Sequence, residues 1–154
     1  MNITIREATE NDFPAILALT KELAVFQHTP DKVSNTVALM NEEKNYFKGF
    51  VAETETKEIV GMATYFFAYY TWVGKSIYLD DLYVKESFRG HKIGARLLTQ
   101  LFETAKKENC KRVRWLVAEW NKPAIELYKK CGAEIESEFL ICDFDQQGIQ
   151  AFKI

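Results

Sequence analysis

Residues 78–98 read YLDDLYVKESFRGHKIGARLL. Asp80 and Asp81 sit side by side in a run of tyrosine, leucine and valine that otherwise has the composition of a strand. Adjacent strand residues point to opposite faces unless a bulge intervenes. In a covered strand, at least one carboxylate is then desolvated or needs a partner. Desolvation raises a carboxylate's pKa, which suits it to accept a proton, and an acid here can also hold a cationic substrate. The plainer alternative has one aspartate capping a backbone amide and the other in solvent.

The next stretch, ESFRGHKIG, joins this strand to a helix and carries Gly90 and Gly94 among the basic residues Arg89, His91 and Lys92. Unpaired amides at a helix N-terminus bind anions, the helix dipole adds to the attraction, and glycine permits close approach. A phosphate or pyrophosphate therefore fits this turn, as does an ordinary glycine-assisted turn with solvated bases. The pattern is neither the phosphate loop G-x-x-x-x-G-K-[ST] nor the dinucleotide signature G-x-G-x-x-G after a first strand. Further on, in VAEWNKPAIELYKKCG, Asn121 and Tyr128 stand two helical turns apart on one face. A tyrosine hydroxyl there can protonate a leaving group, or the ring can simply fill the core.

The surrounding pattern supplies the elements that position these groups. NITIREA alternates as a first strand. TENDFPAILALTKELAVF reads as a helix capped by Thr9 with Asp12 three positions on, and TPDKVSNTVALMNEEKNYF as a second helical segment. GFVAETETKEIVGMATYFFAYY is two strands about a polar turn at Glu55 to Lys57, followed by the strand KSIYLDDLYVK. GHKIGARLLTQLFETAKKENC is the strongest helix, with Ile93, Leu97, Leu101 and Ala105 at intervals of four. KRVRWLVAEW is a strand, and NKPAIELYKKCG a short helix capped by Asn121 and ended by Gly132. AEIESEFLICDFD and IQAFKI are expected to close the fold as a hairpin. The order β-α-α-β-β-β-α-β-α-β-β implies a mixed α/β sheet with helices on both faces, in a single domain over residues 1–154.

With 154 residues, 47% apolar and 27% charged, the chain can bury a core, and its net charge of −2 gives no support for nucleic acid as a partner. No apolar run reaches the ~18 residues of a membrane span, and the N-terminus lacks the pattern of a signal peptide. Cys110, Cys131 and Cys142 are too scattered for a metal set or disulfide framework, which fits reduced thiols in the cytoplasm. Two histidines, His28 and His91, far apart in sequence, supply a zinc site or serine-type triad poorly.

Taken together, the acid pair, basic turn and tyrosine helix resemble the GNAT superfamily of N-acetyltransferases. Its acetyl-CoA motif R/Q-x-x-G-x-G/A is met here by Arg89 and then Ile93 and Gly94, with Lys92 in place of the first motif glycine. A resemblance to the spermidine/spermine (diamine) acetyltransferases covers most of the chain: IREATENDFPAIL, KELA, Trp72 to Asp81, LVAEWN with the residues to Lys129, and the terminal FKI. The resemblance implies a central, mostly antiparallel sheet splayed between its fourth and fifth strands. It implies pantetheine binding by the backbone of Leu82, Tyr83 and Val84, and pyrophosphate binding by Arg89, Gly90, His91, Lys92, Ile93, Gly94 and Ala95. Asn121, Lys122, Pro123 and Ala124 would contact the cofactor further, and Tyr128 aligns with the general acid. Phe26, Gln27, Arg114, Trp115 and Leu116 align with substrate-contacting positions, and Trp72 joins them as a bulky neighbour.

The implied reaction is acetyl transfer from acetyl-CoA to a small-molecule primary amine, such as a diamine, polyamine or thialysine-like amino acid, in a ternary complex. Asp80 or Asp81 would take the amine's proton. The implied protein is a cytoplasmic homodimer that needs no metal and binds neither nucleic acid nor membrane. Several positions depart from the family pattern: Asp80 replaces glutamate, Gln27 replaces an acid, and Gln146, Gln147 and Ile149 stand where the family has an acidic pair and a tryptophan. Amine acetylation is therefore the firmer expectation, and polyamine specificity the weaker. A non-catalytic acyl-CoA sensor and a protein or peptide acetyltransferase are the alternatives.

Overall fold

The computed structural model describes residues 2–154. The chain forms two compact units, one ending at Leu116 and one of Val117–Ile154. The first is built on a five-stranded sheet of sequential order: β1 (Ile3–Glu7), β2 (Lys48–Thr54), β3 (Ile59–Tyr70), β4 (Gly74–Val84) and β5 (Val113–Arg114). Strands β1 to β4 pair antiparallel, and β5 joins β4 in parallel. The expected mixed sheet, mostly antiparallel with a break after the fourth strand, is what the chain forms.

Helix α1 (Phe13–Phe26) packs on one face of the sheet, where Phe13, Ile16, Leu17, Leu19 and Leu23 meet Val51, Met62 and Tyr83. Strand alternation puts Phe50, Ala63, Leu79 and Val84 on the other face. Helix α3 (Ile93–Lys107) lies there, and a Cβ added to its Gly94 would stand 3.9 Å from the Val84 side chain. Ile93, Leu97, Leu98, Leu101 and Ala105 form its buried stripe, the i, i+4 pattern visible in the sequence. Burying each of the larger side chains favours folding by roughly 1.5–3 kcal/mol.

Other expectations are corrected. The second helical segment shrinks to the six residues of α2 (Val37–Glu42), capped by Thr36, whose hydroxyl accepts from the Leu39 amide at 3.1 Å. The strand expected over 111–120 survives only as β5. In the second unit, α4 (Lys122–Lys130) forms as anticipated, but the closing hairpin does not. Residues 133–145 are in neither helix nor strand, and Gln146–Ala151 form a short helix, α5, capped by the Asp145 carboxylate on the Gly148 amide at 2.7 Å. A two-stranded hairpin is marginal unless a sheet or helix covers its apolar face. Phe139, Leu140 and Ile141 are 80%, 92% and 72% exposed, so nothing in their own unit supplies such cover.

One polar clamp ties the α1 side of the first unit together. The Arg6 guanidinium donates to both Asp12 oxygens at 2.8 Å and to Glu53 at 2.6 and 3.1 Å. Asp12, buried just before α1, also accepts from the Thr9 amide at 2.7 Å; Thr9, expected to cap the helix itself, instead caps the single 3-10 turn Glu10–Asp12 that leads into it. Hydrogen bonds from Arg6 hold the Asp12 carboxyl down to about 2, while burial opposes them. A lowered carboxylate contributes stability that is present above its unfolded value near 3.8 and lost as pH falls through about 2. Asp12→Asn is therefore expected to cost about 2 kcal/mol at neutral pH and to flatten the acid limb of stability between about pH 4 and 2. Denaturant titrations across that range check this.

Candidate active site

The site begins where the sheet opens. Parallel pairing of β4 with β5 covers only Ile77↔Val113 and Tyr78↔Arg114. From Leu79 to Val84, β4 keeps β3 on one side and, among the described residues, pairs with no strand on the other. Backbone polar groups along that edge are available to a ligand. Their direction follows from the pairing. The Asp81 amide reaches Thr64 Oγ1 on β3 at 3.2 Å, and the Lys85 amide reaches the Val60 carbonyl at 2.9 Å. Counting in twos, Tyr83 also faces β3, and Leu82 and Val84 present their backbone groups to the open edge. The three-residue pantetheine stretch of the sequence reading thus divides: Leu82 and Val84 outward, Tyr83 inward. Arg89 Nε already donates to the Val84 carbonyl at 3.1 Å.

The two acids are joined by an irregularity that no sequence period reveals. Thr64 is opposite Asp81 and Tyr65 is opposite Leu79, leaving Asp80 as an extra residue in β4. Such a bulge interrupts alternation. Tyr78 and Asp81 both lie on the α1 face, because their partners Phe66 and Thr64 do, and Asp80 between them no longer has to face away from Asp81. Neither carboxylate has a hydrogen-bond or ion-pair partner among the described residues. Asp80 is exposed and Asp81 half-buried. Burial raises both, and it pushes Asp81 up to about 6, with the neighbouring charge of Asp80 adding to the shift.

Beyond β4, a short turn over Glu86–Phe88 leads into the basic loop. Gly90 takes φ 83°, and Lys92 takes φ 58° in the left-handed region. Lys92, which stands where the family motif has a glycine, thus occupies a conformation that glycine adopts more readily. His91 Nδ1 lies 3.2 and 3.1 Å from the Phe88 and Arg89 carbonyls, donating into the turn. The first α3 bond runs from the Arg96 amide to the Lys92 carbonyl at 3.0 Å, so the amides of Ile93, Gly94 and Ala95 precede it. Three unspent helical donors beside an open strand edge fit a pyrophosphate with an extended amide-bearing arm, which is the chemistry of coenzyme A.

Arg89 also ties the loop to α1: its guanidinium lies over the Phe26 ring at 5.0 Å and the Tyr83 ring at 5.5 Å. Gln27 caps the same end of α1 and is exposed. The other substrate positions are spread out. Trp115 turns to the α3 face and meets Phe102 edge-on at 6.4 Å, and Leu116 is exposed. Trp72 stands in the turn at the tip of the β3–β4 hairpin, 93% exposed and away from the acids. Arg114 shares the face of Asp81, beside Tyr78. In the second unit, the Asn121 side chain accepts from the Ala124 amide at 3.4 Å, Lys122 and Pro123 are exposed, and Tyr128 is buried.

The sequence reading missed Tyr78, Phe66 and Tyr70, although alternation from Asp80 would have found Tyr78. Phe66 and Tyr78 stack at 5.1 Å next to the acids. A separate cleft of about 560 Å³, lined by Glu7, Glu10, Phe13, Lys44, Phe47 and Tyr65 among others, contains none of the candidate residues. Among the described residues, no group of three or more histidine, cysteine, aspartate or glutamate side chains could hold a metal, and no helix is long and apolar enough to cross a membrane.

Two outcomes follow from this geometry. A carboxyl raised in the folded state costs stability once pH exceeds its unfolded value, and the cost is complete above about 6. Asp81→Asn is thus expected to stabilise the protein by about 1–3 kcal/mol at pH 8, after allowance for partial solvent screening, and to change nothing at pH 3. Lys92→Gly is expected to hold stability within about 1 kcal/mol of the parent while binding coenzyme A at least as tightly. Thermal melts and calorimetry measure both.

The geometry agrees with what the chain is similar to. The acetyltransferase (GNAT) family model matches residues 7–133, across the limit between the two units. Thialysine N-epsilon-acetyltransferase of Bos taurus is 36% identical over 143 residues, 86% of this chain and 84% of that protein. Spermidine/spermine N(1)-acetyltransferase-like protein 1 of Homo sapiens is 35% identical over 145 residues, 87% of this chain and 21% of that protein. Among solved structures, an integron cassette protein from the mobile metagenome of V. cholerae superposes with a TM-score of 0.77 at 26% identity, covering 97% of this chain and 96% of its own. The family model spans most of the chain and the bovine relative is 36% identical over most of its length, so the chain belongs to the GNAT family of acetyltransferases.

Proposed function

We propose that this protein moves an acetyl group from acetyl-CoA to the primary amine of a small molecule, by direct attack while both are bound. The observation that carries the reading is the bulge at Asp80, which lets two unpaired carboxylates share one face at the point where β4 and β5 part. An alkylammonium has a pKa near ~10.4 and is not nucleophilic until it loses a proton. Asp80, the more exposed acid, attracts the ammonium. Asp81, raised to about 6, accepts its proton directly or through a water. The freed amine nitrogen forms a bond to the acetyl carbon as the carbon–sulfur bond breaks, the Tyr128 hydroxyl supplies the proton that the departing sulfur takes up, and the proton that the new amide nitrogen sheds returns to Tyr128 through solvent. Acetyl-CoA, when bound, supplies the activated thioester. The chain supplies the open-edge groups of Leu82 and Val84 and the amides from Gly90 to Ala95 to hold it. Holding both reactants in one cleft accounts for much of the rate.

The names of its relatives support a small amine, whether diamine, polyamine or thialysine-like amino acid. We read the protein as one catalytic domain that works without metal, in the cytoplasm, as a homodimer, with neither nucleic acid nor membrane as partner. Three unpaired cysteines support a reducing compartment. The exposed Phe139, Leu140, Ile141 and Phe144 support burial against a second copy, since contiguous apolar surface of this kind marks interaction sites.

The pH dependence of kcat/KM tests the chemistry. The parent is expected to rise through an apparent pKa near about 6. Asp81→Asn should lose about 100-fold or more together with that limb, whereas Asp80→Asn should act mainly on KM. Tyr128→Phe should lower kcat by a comparable factor when chemistry limits the rate. Equal, minor losses in both aspartate variants would remove the carboxylates from the proton path.

A further inference from the structure

The acids have a cationic counterpart on the same face of the sheet. Arg114 is the register partner of Tyr78, so Asp80 lies two β4 residues beyond it, about 7 Å along the strand. On that face Tyr70 reaches across β4, with the Arg114 guanidinium over its ring at 5.2 Å and that of Arg112 at 4.8 Å. Phe66 stacks on Tyr78 at 5.1 Å and continues the aromatic wall toward the acids. Neither arginine has a carboxylate partner among the described residues. A guanidinium held over a ring by cation–π attraction does not use its N–H donors on the ring, and a guanidinium can grip a carboxylate with two parallel bonds. Burial first, then Asp80 and Tyr70, raise the Tyr78 phenol, and Arg114 lowers it, so this one side chain is within electrostatic reach of both ends of the face.

Resting on the acetyl-transfer reading, we infer that Arg114, with Arg112 beside it, binds the carboxylate of the acceptor, so that the preferred substrate is an ω-amino acid whose side-chain amine lies at Asp80 and Asp81. The spacing suits a zwitterion: anionic groups for the ammonium at one end, guanidiniums for the carboxylate at the other, and an aromatic wall along the methylenes. A diamine of equal length puts a second ammonium where two guanidiniums already stand, an arrangement that electrostatics opposes. Arg114 is a specificity-determining residue here and takes no part in the proton path.

Acceptor kinetics at fixed acetyl-CoA test this, with L-lysine set against cadaverine and L-ornithine against putrescine, pairs that differ only in the carboxylate. The parent protein is expected to favour each amino acid in kcat/KM by about 10-fold or more. Arg114→Ala should reduce that preference by about 10- to 100-fold, chiefly through the amino acid's KM, and Arg114→Lys should restore part of it. A parent without preference, or an Arg114→Ala loss shared equally by amino acid and diamine, overturns the inference. Calorimetric binding of the same four amines separates it from the reaction on which it rests. Lysine binding that depends on Arg114, with no amine turned over, upholds the carboxylate site and refutes acetyl transfer. Turnover of diamines and amino acids alike upholds transfer and refutes the carboxylate site. Neither binding nor turnover refutes both.

Discussion

One extra residue in β4 decides where the two adjacent acids of this protein stand. If the strand kept strict period two, Asp80 and Asp81 would face opposite sides of the sheet, one toward α1 and one toward α3. A carboxylate among the apolar contacts of α3 would meet a large desolvation cost with no cation to offset it. The bulge relaxes that constraint by letting Asp80 leave the ladder with β3. Asp81 then keeps a half-buried position in which its charged form is disfavoured, and Asp80 reaches solvent. The protein thereby retains two unpaired acids in adjacent positions, at a cost in stability.

The same strand leaves an edge open. Because β5 leaves β4 after Tyr78, the edge that sheets usually pair or cover remains free for an extended arm, and α3 begins with its amides unspent. Arg89 connects these parts. It holds the Val84 carbonyl, which lies on the free edge, and packs on Phe26 at the end of α1. Any ligand that pairs along the β4 edge meets Arg89 at Val84, so the guanidinium that secures the loop also borders that edge.

Much of this was legible in the chain, for physical reasons that differ from element to element. Helix α3 announced itself because its apolar residues repeat at helical spacing and its core face is uninterrupted. The turn leading into α1 was readable because Thr9 and Asp12 act within three residues, and the cap of α4 because Asn121 bonds locally. The acid pair and the basic turn were visible as residue types in sequence order. What was not legible depends on contacts remote in sequence. The bulge exists only in the register against Thr64 and Tyr65. The direction of Trp115 is set by Phe102, and the Tyr70–Arg114 contact spans three strands. Lys92 carries a positive φ that glycine would have signalled and lysine concealed. In the final stretch, alternating residues from Ala133 onward have strand character but no sheet in their own unit to lie on, so local capping by Asp145 prevails and a short helix forms.

The central claim is that Asp81 is a raised, uncompensated carboxyl sharing its face with Asp80. Its carboxyl-carbon resonance, followed by NMR as a function of pH in the free protein and in Asp80→Asn, tests this most directly. A midpoint near about 6 that falls when Asp80 loses its charge is the expected result. A midpoint near the ordinary aspartate value of about 4, unchanged in Asp80→Asn, would contradict it.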